Sequence, residues 1–428
     1  MSTLFTGASI LGTETADIRI ADGLITEIGT ALEPGDSTVV DATGMIALPG
    51  LVDLHTHLRQ PGREDAETVL SGTRAAAAGG FTAVHAMANT TPVQDTAGVV
   101  EQVAKLGAKA GYAYVQPVGA VTVGLAGERL AELEAMHESR ANVTMFSDDG
   151  QCVSDPVLMR RALEYVRSFG GIIAQHAQEP RLTEGAQMHE GNVSAEIGLA
   201  GWPAVAEESI IARDCLLAQH VGSRLHILHV STKGSVELIR WAKAQGIKVT
   251  AEATPHHISL DHALARSYDP RYKVNPPLRT AADIEALKAG LADGTIDTIG
   301  TDHAPHPTEA KDCEWAAGAF GMTGLETALA VVHKELVEPG LLDWADVARV
   351  MSTKPAEISG MTDQGQPIDV GQPANLCFYD PESPATVSGR HQETKSSNTP
   401  YEGMTLPGRV MHTVFRGRVT CLGGKVAE

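Results

Sequence analysis

Pro49-Gly50-Leu51-Val52-Asp53-Leu54-His55-Thr56-His57 is an apolar run that ends in two histidines spaced two apart. On a β-strand successive side chains alternate faces, so His55 and His57 project from the same face. Leu228-His229-Val230-Ser231-Thr232 and Gly300-Thr301-Asp302-His303-Ala304-Pro305-His306 follow the same plan, as do Phe146-Ser147-Asp148-Asp149-Gly150 and Ala174-Gln175-His176-Ala177. Imidazole and carboxylate are the ligands that a water-activating zinc site uses. Each segment alone has a plainer reading: surface histidines before a loop, an Asp-Asp-Gly turn, or a hydrogen-bonded core histidine. Five runs carrying such residues at corresponding positions point instead to one polar cluster on one face of a barrel, and to a metal hydrolase.

The remainder of the chain fits that frame. Between the two ends, strand-like runs alternate with helical patterns. The strand candidates are 45–57, 81–89, 111–121, 142–149, 171–179, 224–231, 248–257 and 296–306. Helical spacing of Val99, Val103, Leu106 and Ala110 predicts a helix over 95–111, with Asp95 as its N-cap. Val236, Ile239 and Ala242 predict another over 231–246, closed by Gly246. Eight β/α units in about 310 residues fit a TIM (β/α)8 barrel over 51–364, whose chemistry sits at the C-terminal ends of the strands. The candidate ligands fall at those ends.

Residues 1–50 and 365–428 read differently. Short β-branched runs at 17–20, 24–28, 38–41, 375–379, 409–415 and 418–421 are separated by turns such as Ala21-Asp22-Gly23, Pro34-Gly35-Asp36 and Gly423-Gly424. The two ends are expected to pair into one small β domain.

Composition removes other classes. The 428 residues are 43% hydrophobic and 20% charged, enough for a sizeable core. The net charge of −20 without a Lys/Arg block argues against nucleic acid or an anionic membrane surface as partner. Five cysteines without a C-x-x-C pair suit a reducing compartment. With no signal-peptide pattern and no apolar stretch near the ~20 residues a membrane span needs, the expected location is cytoplasmic. No phosphate-binding glycine loop and no Gly-x-Ser-x-Gly elbow stands in a productive context, and neither Ser209 nor any cysteine has a motif that makes it a nucleophile. His85, His256, His257 and His303 are read as structural. His306, a turn of loop past Asp302, is placed to reach a substrate.

Together the motifs resemble the dihydroorotase family. The stretch from Pro49 to His57, continued by Leu58-Arg59-Gln60-Pro61-Gly62, is similar to its first signature, and Thr301-Asp302-His303-Ala304-Pro305-His306 to its second. Ala86-Met87-Ala88-Asn89-Thr90, Phe146 to Gly150, His229 to Gly234 and Val274-Asn275-Pro276-Pro277-Leu278-Arg279 match in order and spacing. The resemblance covers nearly the whole chain and points to the long bacterial class within the amidohydrolase superfamily. It implies that His55, His57 and Asp302 hold one zinc ion and that His176 and His229 hold a second. Asp149 would bridge them, where many relatives use a carbamylated lysine, with Asp148 behind it. It implies Arg59, Asn89 and His306 as the grip on a substrate carboxylate, and Asn275 with the backbone near Phe320 and Gly321 as the hold on a pyrimidine ring. Ala88 replaces a proline usual in the family, which removes no ligand.

The implied reaction is the reversible cyclisation of N-carbamoyl-L-aspartate to L-dihydroorotate, by metal-activated hydroxide with Asp302 as general base. Two other readings stay open at the level of sequence. A hydantoinase or allantoinase shares the barrel and the His-x-His opening, but normally brings a lysine at the fourth strand, and 142–151 has none. A metal-free scaffold partnering aspartate transcarbamoylase would lack the ligands, whereas all six are here. Besides a small-molecule substrate, the partners implied are a second copy in a homodimer and aspartate transcarbamoylase.

Overall fold

The computed structural model describes residues 2–428. The chain is an α/β protein whose centre holds eight parallel strands. Leu51–Thr56, Phe81–Ala86 and Tyr114–Pro117 form one parallel sheet. Met145–Phe146, Ile172–Gln175, Arg224–Ile227, Val249–Ala253 and Thr298–Ile299 form a second. Parallel bridges Gly119↔Phe146 and Thr56↔His303 link the two sheets at both seams. Each predicted strand thus has its counterpart, but shortened at the C-terminal end. Of the six candidate ligands, His55 stays inside its strand and the other five lie just past the end of theirs.

Helices follow the strands, and each buries its apolar stripe on the sheets. Lys233–Ala244 buries Val236, Ile239 and Ala242 as its spacing predicts, and Gly246 follows at φ 73°. Two details of the helix predicted over 95–111 differ. It runs over Ala97–Ala110 behind Thr96, while the Asp95 carboxylate accepts the Gly124 N–H at 2.9 Å instead of capping. Its buried line is Val100, Val103 and Gly107, one position on from Val99 and Leu106. Gly107 is the cause: a Cβ there would sit 2.5 Å from Val115 Cβ, so the helix meets the third strand through bare backbone and rotates accordingly.

The run 45–57 is two strands rather than one. Ile46–Pro49 joins a separate nine-stranded sheet, and Leu51–Thr56 opens the parallel set. Gly50 is the divide, donating its N–H to Asn375 O at 2.9 Å. The nine-stranded sheet unites both ends of the chain, because Leu376–Asp380 pairs antiparallel with Ile46–Pro49. Its core includes Phe5, Ile18, Ile25, Phe378 and Val414, with Phe5 stacked on Phe378 at 4.3 Å. Ser2–Ile10, a strand that the sequence reading did not single out, lies at its middle. The turns at Asp22-Gly23 and Gly423-Gly424 have the positive φ angles that tight hairpins require.

Asp53 ties the first strand to the eighth. Fully buried, it accepts the N–H of His55 at 3.0 Å and the N–H and hydroxyl of Thr301 at 3.1 and 2.5 Å. Removing it leaves these donors buried without a partner, each a cost of the order of 1 kcal/mol or more. Asp53→Ala should therefore lower the unfolding free energy by about 3 kcal/mol; a denaturant melt matching wild type would refute this role.

Candidate active site

The strand ends deliver the candidate ligands to one place. His55 lies in the first strand with His57 just past it, His176 follows the fifth, His229 the sixth, and Asp149 and Asp302 lie beyond the fourth and eighth. All six are buried. Asp149 is the hub. Its Oδ1 lies 3.4 Å from His55 Nε2, 3.3 Å from His176 Nδ1 and 3.4 Å from His229 Nε2, and its Oδ2 lies 3.3 Å from His57 Nε2. Asp302 Oδ1 completes one half, at 3.4 Å from His55 Nε2 and 3.1 Å from His57 Nε2. In the other half His176 Nδ1 and His229 Nε2 stand 2.8 Å apart.

A second layer fixes which nitrogen faces inward. His55 Nδ1 meets Glu252 Oε1 at 2.6 Å, His57 Nδ1 meets Asn89 Oδ1 at 2.9 Å, and His176 Nε2 meets Gln178 Oε1 at 2.8 Å. Such partners set tautomer and ring orientation at metal sites. Asp148 points away, accepting the N–H groups of Val121 and Thr122 at 2.8 and 3.0 Å together with the Thr122 hydroxyl. This separates the two adjacent carboxylates.

The donor set contains two groups that could hold a metal ion. His55 Nε2 and Asp149 Oδ1 are buried without a hydrogen-bond partner, a rare condition in a native interior. The ligand atoms of His55, His57 and Asp149 lie within 4.8 Å of one another, as do those of Asp149, His176 and His229, so a single carboxylate belongs to both groups. Electrostatics agrees. Burial alone would lower the pKa of His55, but the carboxylates of Asp149, Glu252 and Asp302 outweigh it and hold the imidazole well above its ordinary value. Burial would raise the Asp302 carboxyl, and the imidazoles of His55 and His57 instead hold it below the usual range. Negative charge at this depth calls for cations. Backbone strain collects here too, since Arg59, His229 and Asp302 all have positive φ (60°, 31° and 46°).

Beside this cluster lies a second group. Arg59 donates from Nε to Pro305 O at 3.2 Å, and its Nη2 lies 3.5 Å from His306 Nε2. Burial pulls its guanidinium down to about 10, with Asp302 pulling the other way. His306 Nε2 lies 2.8 Å from Phe320 O. Gly321, at φ 139°, approaches so closely that a Cβ would stand 2.7 Å from His306 Nε2. Asn275 donates to Gln178 Oε1 at 3.1 Å and leaves its own Oδ1 buried and unpaired. Ala88 needs no proline to close its turn, because its carbonyl accepts the N–H groups of Thr90 and Gln94 at 2.9 and 3.0 Å.

His85 and His257 are bonded to the Asp53 and Pro276 carbonyls, and His303 to Glu67. The sequence reading missed Glu252, Gln178 and Asn398. Glu252 carried a signal, as the lone charge inside Val249-Thr250-Ala251-Glu252-Ala253. Gln178, at the end of the strand run 171–179, and Asn398, in polar loop sequence, carried none.

A family model described as Dihydro-orotase-like matches residues 44–235. Among curated relatives, a protein named dihydroorotase from Leifsonia xyli subsp. xyli is 64% identical over 425 residues, covering 99% of this chain and 97% of that protein. One of the same name from Streptomyces coelicolor is 64% identical over 424 residues, 99% of each. A third, from Mycobacterium tuberculosis, is 55% identical over 428 residues, all of both. Among solved structures, the L-hydantoinase (dihydropyrimidinase) of Arthrobacter aurescens aligns with a TM-score of 0.88 at 26% identity, covering 100% of this chain and 97% of that one. The dihydropyrimidinase of Brevibacillus agri shares the fold, with a TM-score of 0.84 at 23% identity and coverage of 100% and 96%. Fold and site together define a cyclic amidohydrolase. More narrowly, the chain belongs to the dihydroorotase family.

If Asp149 serves both halves, Asp149→Asn weakens cation binding throughout while His176→Ala affects one half. Metal quantification after equilibrium dialysis should find both positions depleted in the first variant and one in the second. Equal loss in the two would contradict the shared carboxylate.

Proposed function

We propose that this chain interconverts N-carbamoyl-L-aspartate and L-dihydroorotate, a step of pyrimidine biosynthesis, on the face of a closed (β/α)8 barrel at 51–364. A β domain built from 1–50 and 365–428 would flank the barrel. The observation that carries the reading is the sharing of Asp149 between two pairs of imidazoles, next to a guanidinium placed for a carboxylate. The two bridges at the sheet seams support closure of the barrel.

His55, His57 and Asp302 would hold one zinc ion and His176 and His229 a second, with Asp149 common to both. Bound there, the ions polarise a carbonyl and lower the pKa of water. The residues of the chain do the rest. Asp302, kept anionic by its imidazole neighbours, accepts the proton of the attacking water at its carboxylate. It returns that proton to the ring nitrogen as the carbon–nitrogen bond breaks. Arg59 presents a planar, permanently charged fork to the substrate carboxylate, which suits it better than a lysine would. Asn89 adds a donor through its Nδ2, and His306 would add one when its Nε2–H turns from the Phe320 carbonyl to the substrate. The unpaired Asn275 Oδ1 would accept a ring N–H, and the backbone at Phe320 and Gly321 would hold the ring with it. Together they hold the reacting amide in place.

The hydantoinase reading draws on the solved structures, but the dihydroorotase relatives align at more than twice the identity, and 142–151 contains no lysine. The scaffold reading conflicts with a complete ligand set. Among the described residues no helix is long and apolar enough to cross a membrane. The deciding experiment couples metal quantification to ring opening of dihydroorotate, hydantoin and allantoin by the purified protein. Faster turnover of either rival substrate, or a metal-free and inactive protein, overturns the reading.

Asp302→Asn should fold normally and lose about 10³-fold in kcat; wild-type-like turnover would remove it as the base. Arg59→Ala should raise KM for dihydroorotate roughly thirtyfold, the scale of a charged hydrogen bond, while sparing an uncharged cyclic imide. Equal losses on both substrates would place Arg59 elsewhere.

A further inference from the structure

Between Leu376–Asp380 and its hairpin partner Arg409–Phe415, the chain leaves the nine-stranded sheet and crosses to the strand-end face of the barrel. The crossing segment is fastened by buried bonds. The N–H groups of Glu393 and Thr394 go to the Glu326 carboxylate at 2.9 and 3.1 Å. The Thr394 hydroxyl and the Lys395 N–H go to Glu67, and Ser396 Oγ donates to Ala66 O at 2.7 Å. The segment ends at Asn398, which is 4% exposed. Asn398 Oδ1 accepts the His306 N–H at 3.1 Å, and its Nδ2 donates to Ala304 O at 3.0 Å and Gly321 O at 3.3 Å. Its own carbonyl accepts the Thr323 N–H at 3.3 Å.

We infer that Asn398 is a positioning residue that sets the distance between the two substrate-gripping elements, the His306 loop and the Phe320-Gly321 backbone. The inference rests on the roles proposed for those elements. One amide side chain joins both, and no other side chain among the described residues bonds the backbone of both the 304–306 loop and Gly321. A primary amide suits this position because it offers an acceptor for one loop and two donors for the carbonyls of the two. A carboxylate of the same shape would turn an oxygen on the Ala304 and Gly321 carbonyls. A turn residue chosen only for its local backbone would not need either group.

The test compares Asn398→Ala and Asn398→Asp with Ser396→Ala, which loosens the same segment without touching the substrate loops. Each is assayed as the full chain loaded with zinc, alongside thermal melts. Both Asn398 variants should raise KM for dihydroorotate about tenfold, the scale of one to two hydrogen bonds, with kcat changed less than KM. Ser396→Ala should leave KM near wild type. A folded Asn398→Asp protein with wild-type KM overturns the inference, even if the alanine variant fails to fold. A KM rise in Ser396→Ala equal to that of Asn398→Ala overturns it as well, because general loosening would then be the cause. If His306→Ala itself leaves KM unchanged, the proposed substrate grip fails instead, which keeps the two failures apart.

Discussion

A carboxylate buried among four imidazoles is the constraint around which this molecule is organised. Asp149 cannot be satisfied by water at that depth, and with one oxygen left unpaired it is not satisfied by hydrogen bonds either. An isolated buried charge of this kind would neutralise or unfold its surroundings. The cluster persists because opposite charge is gathered there in the imidazoles, above all His55, which lies against both Asp149 and Asp302. The surrounding structure is committed to that end. Asp53 locks the first strand to the eighth, Glu252 braces His55 from the seventh, and Arg59, His229 and Asp302 hold left-handed backbone angles at the cluster. This is strain held in place by a scaffold that over-determines it.

The parts legible from sequence were those written in periodicity and residue type. Strand-end histidines and aspartates stood out because polar residues closing an apolar run conflict with simple burial, so the residues that converge and the eight strands were legible together. The helix at 97–110 shows the limit of such reading. The hydrophobic spacing located it, yet Gly107 shifted its buried face by one residue, and glycine carries no hydrophobic signal. Gly50 likewise split a continuous apolar run between two sheets, a decision made by a backbone hydrogen bond to Asn375 rather than by side-chain character.

The supporting residues were harder to see for a related reason. Gln178 and Asn398 act through side-chain hydrogen bonds whose partners include Asn275 and His306, 97 and 92 positions away. In sequence they look like ordinary loop residues. Only the folded distances distinguish an amide that completes a turn from one that holds two loops together. Glu252 is the intermediate case, since a lone acid inside a buried strand already implies a partner without naming it.

The route of the segment from Asp380 to Arg409 bears on the order in which the enzyme becomes competent. All six candidate ligands lie within the first 302 residues, so during synthesis they emerge from the ribosome well before the segment that ends at Asn398. The candidate ligands are therefore all made while the side chain that joins the 304–306 loop to Gly321 is still to come. The bonds of Asn398 come last, with the late-made strands Leu376–Asp380 and Arg409–Phe415 that complete the nine-stranded sheet on either side of the crossing segment.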